Sequence, residues 1–228
     1  MASERTHIVF PIFDDMTPLD FVAPYQAFRA VPEARISVAS RGGRDVEAGG
    51  LVLSRVADLS AIDSCDVICV PGGFGTAKAM LDEAFMSEIR RLAKAAKYHT
   101  SVCTGALILG AAGLLRGKRA ATYWASRDTL ELFGAIVENG RVVRDGNVIT
   151  GGGVTAGLDF ALLAVAEIFG RATAELVQLR LEYAPAPPFG IIHPDDAPAE
   201  LTTRLRNDLN AGLAADRAAA ERAARLLP

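Results

Sequence analysis

The sequence is poor in the residue types that mark several classes of protein. Its 228 residues include three cysteines, three histidines and one tryptophan, and the formal net charge is −3. A negative balance argues against nucleic-acid binding, because phosphate recognition needs a concentrated basic surface. No apolar run reaches the ~20 residues of a membrane span, and the first residues lack the apolar core of a signal peptide. We therefore expect a cytoplasmic protein that binds neither nucleic acid nor membranes.

The few cysteines exclude a disulfide framework and leave one reactive candidate. Cys65 and Cys69 lie on one strand-like run, Cys-Asp-Val-Ile-Cys. Four strand steps separate their Cα atoms by about 13 Å, whereas a disulfide allows ~7 Å. The same separation argues against joint metal ligation, so both residues are assigned to structure. Cys103 remains as the candidate for chemistry.

Cys103 lies where a predicted strand runs into a predicted helix. Thr100, Ser101 and Val102 favour an extended chain, and the residues from Ala106 onward favour a helix. A side chain at such a junction projects from the end of a sheet, as in the elbow of hydrolases with a Gly-x-Ser-x-Gly motif. The nearby helix N-terminus favours thiolate over thiol, which predicts a lowered pKa. The competing interpretation is a small residue of the core.

Strand-like and helix-like segments alternate along the chain, which predicts an α/β fold with a doubly wound, mostly parallel sheet. No internal repeat or long linker interrupts residues 1–228, so we expect a single domain. Predicted strands cover residues 7–13, 35–40, 51–53, 66–70 and 100–102 with a hairpin at 140–150, and predicted helices begin at Thr17 and cover 83–97 and 155–169.

Residues 198–228 are predicted to form a helical tail. Its leucines recur every four residues and form an apolar stripe, which must pack on the body of the chain or on a second subunit. Its arginines are offset by Asp208, Asp216 and Glu221, so we interpret the charged residues as a solvated helix face. The stripe consists of Leu201, Leu205, Leu209 and Leu213.

Ligands of doubly wound sheets bind beyond the carboxyl ends of the strands. Three predicted loops meet there: Asp14–Asp20, Pro71–Gly75 and Cys103–Gly105. We expect burial and a neighbouring thiolate to raise the pKa of Asp20, so that it can hold and donate a proton. Its alternative role is that of a first-turn acid favoured by the helix dipole.

Other residues of these loops have two interpretations each. Thr104 is either a hydroxyl at the start of a helix or a donor to the reacting group. Gly72 and Gly73 either form a tight turn or direct backbone N–H groups at an anionic intermediate. We assign Val154 to substrate binding. These residues all follow predicted strands.

The remaining motifs predict neither a cofactor nor a metal site. Gly151-x-Gly-x-x-Ala matches a dinucleotide fingerprint, but no acidic residue ends a strand about twenty positions later, so we expect close backbone approach there instead. His7 and His99 are predicted to lie away from Cys103. His193 could fold back as a catalytic partner.

Three stretches together resemble the signature of the PfpI-like superfamily, which is related to class I glutamine amidotransferases. They are Leu19-Asp-Phe-Val-Ala-Pro, Val70-Pro-Gly-Gly and Ser101-Val-Cys-Thr-Gly-Ala. The chain is more narrowly similar to the bacterial isocyanide hydratases, from about His7 into the tail. Supporting stretches include Arg141-Val-Val-Arg-Asp-Gly-Asn, Thr150-Gly-Gly-Gly-Val-Thr-Ala-Gly-Leu-Asp-Phe-Ala and Gln178-Leu-Arg-Leu-Glu-Tyr-Ala-Pro-Ala-Pro-Pro-Phe.

The resemblance implies a flavodoxin-like fold, a homodimer and no metal or organic cofactor. It implies hydration of an isocyanide to an N-substituted formamide, with Cys103 as the nucleophile that forms a thioimidate. Asp20 then corresponds to the acid/base, Thr104 to a supporting hydroxyl and Gly72–Gly73 to the backbone site. Tyr123 departs from the family pattern, because many relatives have histidine there.

Other functions stay open beside this one. Glyoxalase-like or deglycase-like chemistry on reactive carbonyls would also use Cys103, and a sensor would only be oxidised there. A protease is disfavoured because no histidine adjoins the nucleophile. Similar domains precede helix-turn-helix pairs in AraC-type regulators, but the sequence ends at Pro228, which leaves no room for such a pair.

Overall fold

The computed structural model describes residues 5–190 and 193–227. No helix within these residues is both long and apolar enough to cross a membrane. The strands are β1 Thr6–Pro11, β2 Ala34–Ser40, β3 Val46–Ala48, β4 Leu51–Leu53, β5 Ala57–Asp58, β6 Val67–Val70, β7 Tyr98–Val102, β8 Arg119–Ala120, β9 Ile136–Val137, β10 Val142–Asp145 and β11 Val148–Gly151. The α-helices are α1 Pro18–Arg29, α2 Thr76–Leu81, α3 Glu83–Ala95, α4 Gly105–Ala111, α5 Arg127–Leu130, α6 Ala156–Phe169, α7 Arg171–Arg180 and α8 Ala199–Ala224.

Seven strands form the central sheet in the order β10-β11-β7-β6-β1-β2-β5. All neighbouring pairs are parallel except β10 with β11, which form the predicted hairpin. All four residues of β6 are buried, as expected of a parallel strand covered on both faces. The predicted doubly wound, mostly parallel α/β fold is confirmed.

The local signals in the sequence place most element boundaries within a few residues. Helix α1 begins at Pro18 after the N-cap Thr17, as predicted. The predicted helix at 83–97 ends earlier, at Ala95, because Ala96 is extended and the chain turns there into β7. The hairpin turns at Gly146, whose φ of 62° favours glycine.

Aromatic side chains anchor the helix that carries Asp20. The Phe10 ring on β1 lies 5.3 Å from the Phe21 ring and 6.2 Å from the Phe28 ring, centroid to centroid. All three side chains are buried, and burial of each contributes about 1.5–3 kcal/mol. Helix α1 is therefore held firmly against β1, with its first turn at the carboxyl end of the sheet.

The predicted helical tail is present as α8, and it packs on α2, α4 and α5 of the same chain. The leucine stripe divides along its length. Leu201 and Leu205 are 51% and 42% exposed, whereas Leu209 and Leu213 line a cavity at the end of the sheet. The second half of α8 therefore covers the region to which the sequence assigns function.

Candidate active site

Cys103 forms a sharp elbow between β7 and α4. Its φ is 58°, which is uncommon for a residue other than glycine and persists only where the surroundings hold it. Its N–H donates to the carbonyl oxygens of Gly151 at 3.1 Å and Gly152 at 2.9 Å. Its own carbonyl oxygen accepts from the Thr122 hydroxyl at 3.0 Å. The predicted strand–cysteine–helix junction and the close backbone approach at Gly151–Gly152 are confirmed.

Glycine at position 105 allows α4 to begin against the end of β6. A Cβ atom there would lie 2.2 Å from the Val70 carbonyl oxygen, which is far inside van der Waals contact. The elbow thus depends on a residue without a side chain directly after Thr104. This is a steric requirement of the junction, separate from the chemistry of the thiol.

Asp20 lies in the first turn of α1 and is completely buried. Its Oδ2 accepts a hydrogen bond from the Gly72 N–H at 3.1 Å, while Oδ1 has no partner of strict hydrogen-bond geometry among the described residues. Burial raises the pKa of Asp20 to about 7, against the opposing hydrogen bonds with Cys103 and Gly72. The pKa of Asp20 is thus raised by burial, as predicted, whereas the predicted contribution of the neighbouring sulfur was wrong, because the hydrogen bond with Cys103 lowers this pKa.

The Cys103 thiol has the opposite ionisation to the one predicted. Burial, followed by the Asp20 carboxylate, raises its pKa well above the ordinary value, although the Thr104 N–H stabilises the thiolate. The predicted lowering was wrong because desolvation outweighs the donors at the start of the seven-residue α4. The resting pair therefore keeps a proton on sulfur, and Asp20 carries whatever negative charge the pair holds.

The backbone N–H groups of Gly72 and Gly73 are committed to side chains of the site. Gly72 donates to Asp20, as described above, and Gly73 donates to the Thr104 hydroxyl at 2.9 Å. In this arrangement neither N–H group is free to face the cavity, and their role toward an anionic intermediate stays a prediction. Glycine is needed at position 72 because a Cβ atom there would lie 2.5 Å from the Thr104 nitrogen.

Thr104 is held from two sides. Besides the Gly73 N–H, its hydroxyl lies 2.8 Å from the hydroxyl of Thr76, which is fully buried. Thr104 is the N-cap residue of α4, but its hydroxyl makes no capping hydrogen bond there and is instead a fixed polar group beside the thiol.

A cavity of about 160 Å³ opens onto the Cys103 side chain, which is itself only 5% exposed. Among the predicted site residues, Thr104, Gly73 and Val154 also line it, whereas Asp20 and Gly72 do not. Tyr123 lines it as well, so the departure from the family pattern lies in the site. Much of the remaining wall is apolar and comes from Phe74, Leu209 and Leu213.

The histidines lie elsewhere. The His7 ring contacts the Ser64 carbonyl oxygen and the Ser37 hydroxyl, and the His99 ring contacts the Ala93 carbonyl oxygen. His193 lies beside Asp195 and does not line the cavity. The suggestion that His193 folds back to the thiol was therefore wrong.

The other two cysteines are buried. Burial raises the pKa of both Cys65 and Cys69 to about 12, as their assignment to structure requires. No group of three or more His, Cys, Asp or Glu side chains suited to a metal ion occurs in residues 5–190 and 193–227.

Two polar residues of the cavity wall were missed from the sequence. The Ser126 hydroxyl is buried without a hydrogen-bond partner in the described chain. Asp216 was assigned to a solvated face of the tail, but it is only 7% exposed and lines the cavity. Its spacing from Leu209 and Leu213, at seven and three residues, places it on the same helix face and could have revealed this.

Comparison with known proteins agrees with this geometry. Residues 6–167 match the model of the DJ-1/PfpI family. The chain is 46% identical to a protein of Pseudomonas putida named isonitrile hydratase, over 87% of this chain and 88% of that one. A THiJ/PfpI family protein from Pseudomonas syringae superposes with a TM-score of 0.91 at 39% identity, covering 95% of this chain and 90% of that chain.

More distant structures share the fold alone. The structure of oxidised DJ-1 from Toxoplasma gondii has a TM-score of 0.70 at 22% identity, covering 79% of this chain and all of that one. The superfamily resemblance seen in the sequence is thus confirmed by a family match over most of the chain, a relative of high identity and a solved structure. The chain belongs to the DJ-1/PfpI family.

Proposed function

We propose that the protein is an isocyanide hydratase, which adds water to R–N≡C and releases the formamide R–NH–CHO. The observation that carries this proposal is the pairing of the Cys103 thiol with the buried Asp20 carboxyl at the end of a small, largely apolar cavity. The high identity to the Pseudomonas putida isonitrile hydratase supports it.

The first step is addition of the thiol across the isocyanide carbon. Asp20, with a pKa of about 7, is ionised in a large fraction of molecules at neutral pH and accepts the Cys103 proton as the S–C bond forms. Asp20 then delivers this proton to the same carbon. The product is the thioimidate R–N=CH–S–Cys103, and no oxidant or reductant is required.

The second step is hydrolysis of the thioimidate. Water adds to the C=N carbon and gives R–NH–CH(OH)–S–Cys103, one water proton ending on nitrogen. The C–S bond then breaks, the hydroxyl proton returns to sulfur, and R–NH–CHO leaves. The overall change is the addition of one water molecule, and the thiol is regenerated.

The surrounding residues suit this substrate. An isocyanide is a slender group with little hydrogen-bonding capacity, and Phe74, Leu213 and Val154 present apolar surface to its R group. We assign Thr104 a positioning role, because its hydroxyl is tied to Gly73 and Thr76 beside the thiol. Gly72 acts through its hydrogen bond to Asp20 rather than on the substrate.

The activity is tested by incubating the protein with an aliphatic isocyanide and measuring formamide by mass spectrometry. We expect turnover by the wild-type protein and by the control Cys65→Ala, and none by Cys103→Ala. A folded wild-type protein that forms no formamide would contradict the proposal. Conversion of methylglyoxal instead would favour the glyoxalase-like alternative, and oxidation of Cys103 without turnover would favour a sensor.

We further infer a homodimer in the cytoplasm. The exposure of Leu19 and Val22 on α1, at 44% and 46%, supports a second subunit, and the three free cysteines fit a reducing compartment. Sedimentation equilibrium measures the mass in solution, and a monomer at micromolar concentration would contradict the dimer.

A further inference from the structure

The cavity presents two polar groups that the thiol–carboxyl pair does not use. The Ser126 hydroxyl is 1% exposed and has no hydrogen-bond partner in the described part of the chain. The Asp216 carboxyl belongs to α8, is 7% exposed, and forms no ion pair with the described residues. A buried hydroxyl without a partner, as in Ser126, and a carboxylate with unused acceptor sites, as in Asp216, are groups at which water in a cavity can bind.

The proposed reaction requires a water molecule at a defined place. Asp20 does not line the cavity and interacts with the site through the Cys103 thiol, where the isocyanide carbon becomes bonded, so we assign it to sulfur and carbon rather than to water in the cavity. Asp216 and Ser126 do line this space, together with Cys103. A volume of about 160 Å³ is roughly ten times what one water molecule needs, so substrate and water fit together.

We infer that Asp216 and Ser126 bind the hydrolytic water, with Asp216 as its proton acceptor. This inference rests on the proposed hydratase function and names the group that serves its second step. The Ser126 hydroxyl holds the water, and the Asp216 carboxylate takes one of its protons as the O–C bond to the thioimidate forms. Asp216 then gives that proton to the substrate nitrogen, so that both protons of the water are accounted for.

The surroundings of Asp216 suit a proton acceptor. Burial raises its pKa to about 7, against the opposing hydrogen bond from the Ala77 N–H. A group whose pKa lies near the working pH is ionised often enough to accept a proton and basic enough to hold it. The two acids thus have different roles. Asp20 transfers a proton from the sulfur to the isocyanide carbon, whereas Asp216 transfers a proton from the water to the substrate nitrogen.

A purely structural role for Asp216 is the competing explanation. Ala77 lies in the first turn of α2, so a hydrogen bond from its N–H to the carboxylate would join α8 to α2. Asp216→Asn separates the two roles, because the amide oxygen still accepts from the Ala77 N–H but the side chain no longer takes a proton. Asp208→Asn is the matched control, since Asp208 is an exposed acid of the same helix.

The test follows isocyanide loss in stopped flow and the mass of the intact protein during turnover. For Asp216→Asn we expect a burst of about one equivalent of isocyanide, a steady-state rate lower by about 100-fold, and accumulation of the thioimidate adduct on Cys103. For Ser126→Ala we expect a smaller fall of about 3- to 10-fold, with the same adduct. Asp208→Asn should match the wild-type protein in rate and mass.

Other outcomes overturn the inference. An Asp216→Asn variant that turns over at the wild-type rate, or that loses the burst together with the steady state, assigns no part in hydrolysis to Asp216. If that variant does not fold, Ser126→Ala decides, and absence of its adduct rejects the water site. Failure of the wild-type protein to make any formamide would instead reject the hydratase function itself.

Discussion

Two buried carboxyls belong to the site, and their comparison separates the effect of burial from that of access. Burial raises the pKa of both Asp20 and Asp216 to about 7. Asp20 comes from α1 and interacts with the site through the Cys103 thiol without lining the cavity, whereas Asp216 comes from α8 and lines it. Two carboxyls of similar pKa thus take part in different proton transfers, because the packing around each one determines which reacting group it contacts.

The largest difference between the two acids should appear in the first chemical step. Asp20→Asn keeps an oxygen for the Gly72 N–H but cannot accept the thiol proton, so we expect the rate of isocyanide loss to fall by about 10²- to 10⁴-fold. No adduct should accumulate on Cys103, in contrast to Asp216→Asn. The control is Asp15→Asn, which changes an exposed acid of the loop before α1.

The prediction is contradicted if the Asp20→Asn variant consumes isocyanide at a rate close to that of the wild-type protein. The proton would then reach the isocyanide carbon by another route, and the pairing of Asp20 with Cys103 would be structural. Accumulation of adduct in this variant would instead move Asp20 to the hydrolytic step.

Both acids should make the folded protein less stable as the pH rises. Each has an ordinary pKa of 3.8 and a folded-state pKa of about 7, so between these values the folded chain keeps a proton that the unfolded chain has lost. The resulting stabilisation is complete below the lower value and is lost as the pH rises through about 7. At 1.4 kcal/mol per pH unit it amounts to at most about 4 kcal/mol for each acid.

Urea unfolding at pH 5 and pH 8 measures this effect. The fall in the free energy of unfolding should be smaller in Asp20→Asn and in Asp216→Asn than in the wild-type protein, and smallest in the double variant. His7 titrates in the same range with a lowered pKa and the opposite sign, so the variants, and not the wild-type slope alone, isolate the acids. An unchanged slope in the double variant would contradict the assigned pKa values.

The smallest effect concerns the apolar part of the cavity wall contributed by α8. Leu213→Ala removes a partly buried side chain from the cavity wall, and we expect a loss of about 2 kcal/mol or less in stability. The variant should favour bulkier isocyanides over small ones relative to the wild-type protein, as measured by the ratio of kcat/KM values. Leu205→Ala, at an exposed position of the same stripe, should change stability by less than about 0.5 kcal/mol.

If Leu213→Ala has the same preference among isocyanides as the wild-type protein, α8 has no part in substrate selection and only covers the cavity. A shift of equal size in Leu205→Ala would show that general loosening of the helix, and not the wall of the cavity, decides the preference.

Local signals in the chain predicted much of the fold and part of the site. The start of α1 follows from Thr17 and Pro18 themselves, because the fixed φ of proline suits the first position of a helix. The apolar run of β6 is typical of a strand covered on both faces. The strand-to-helix junction at Cys103 could be predicted as well, because the residues on its two sides prefer different backbone conformations. The direction in which the pKa of Cys103 shifts could not be predicted, since it depends on how much water the folded chain removes from the sulfur.

Residues distant in sequence account for the rest. Gly72 and Gly73 carry a turn signal, but only the folded chain reveals that their N–H groups hold Asp20 and Thr104. The charge pattern of the tail placed Asp216 in solvent, whereas the packing of α8 on α2 buries it beside the cavity.

The sequence by itself determined the alternation of the main strands and helices and the elbow at Cys103, because these follow from short-range backbone preferences and from periodicity. Only the tertiary structure decided which polar groups face the cavity, which are already hydrogen-bonded and how strongly burial shifts their ionisation. Those properties arise from desolvation and long-range packing, which bring together segments far apart in sequence, such as α2 with Ala77 and α8 with Asp216, about 140 residues apart.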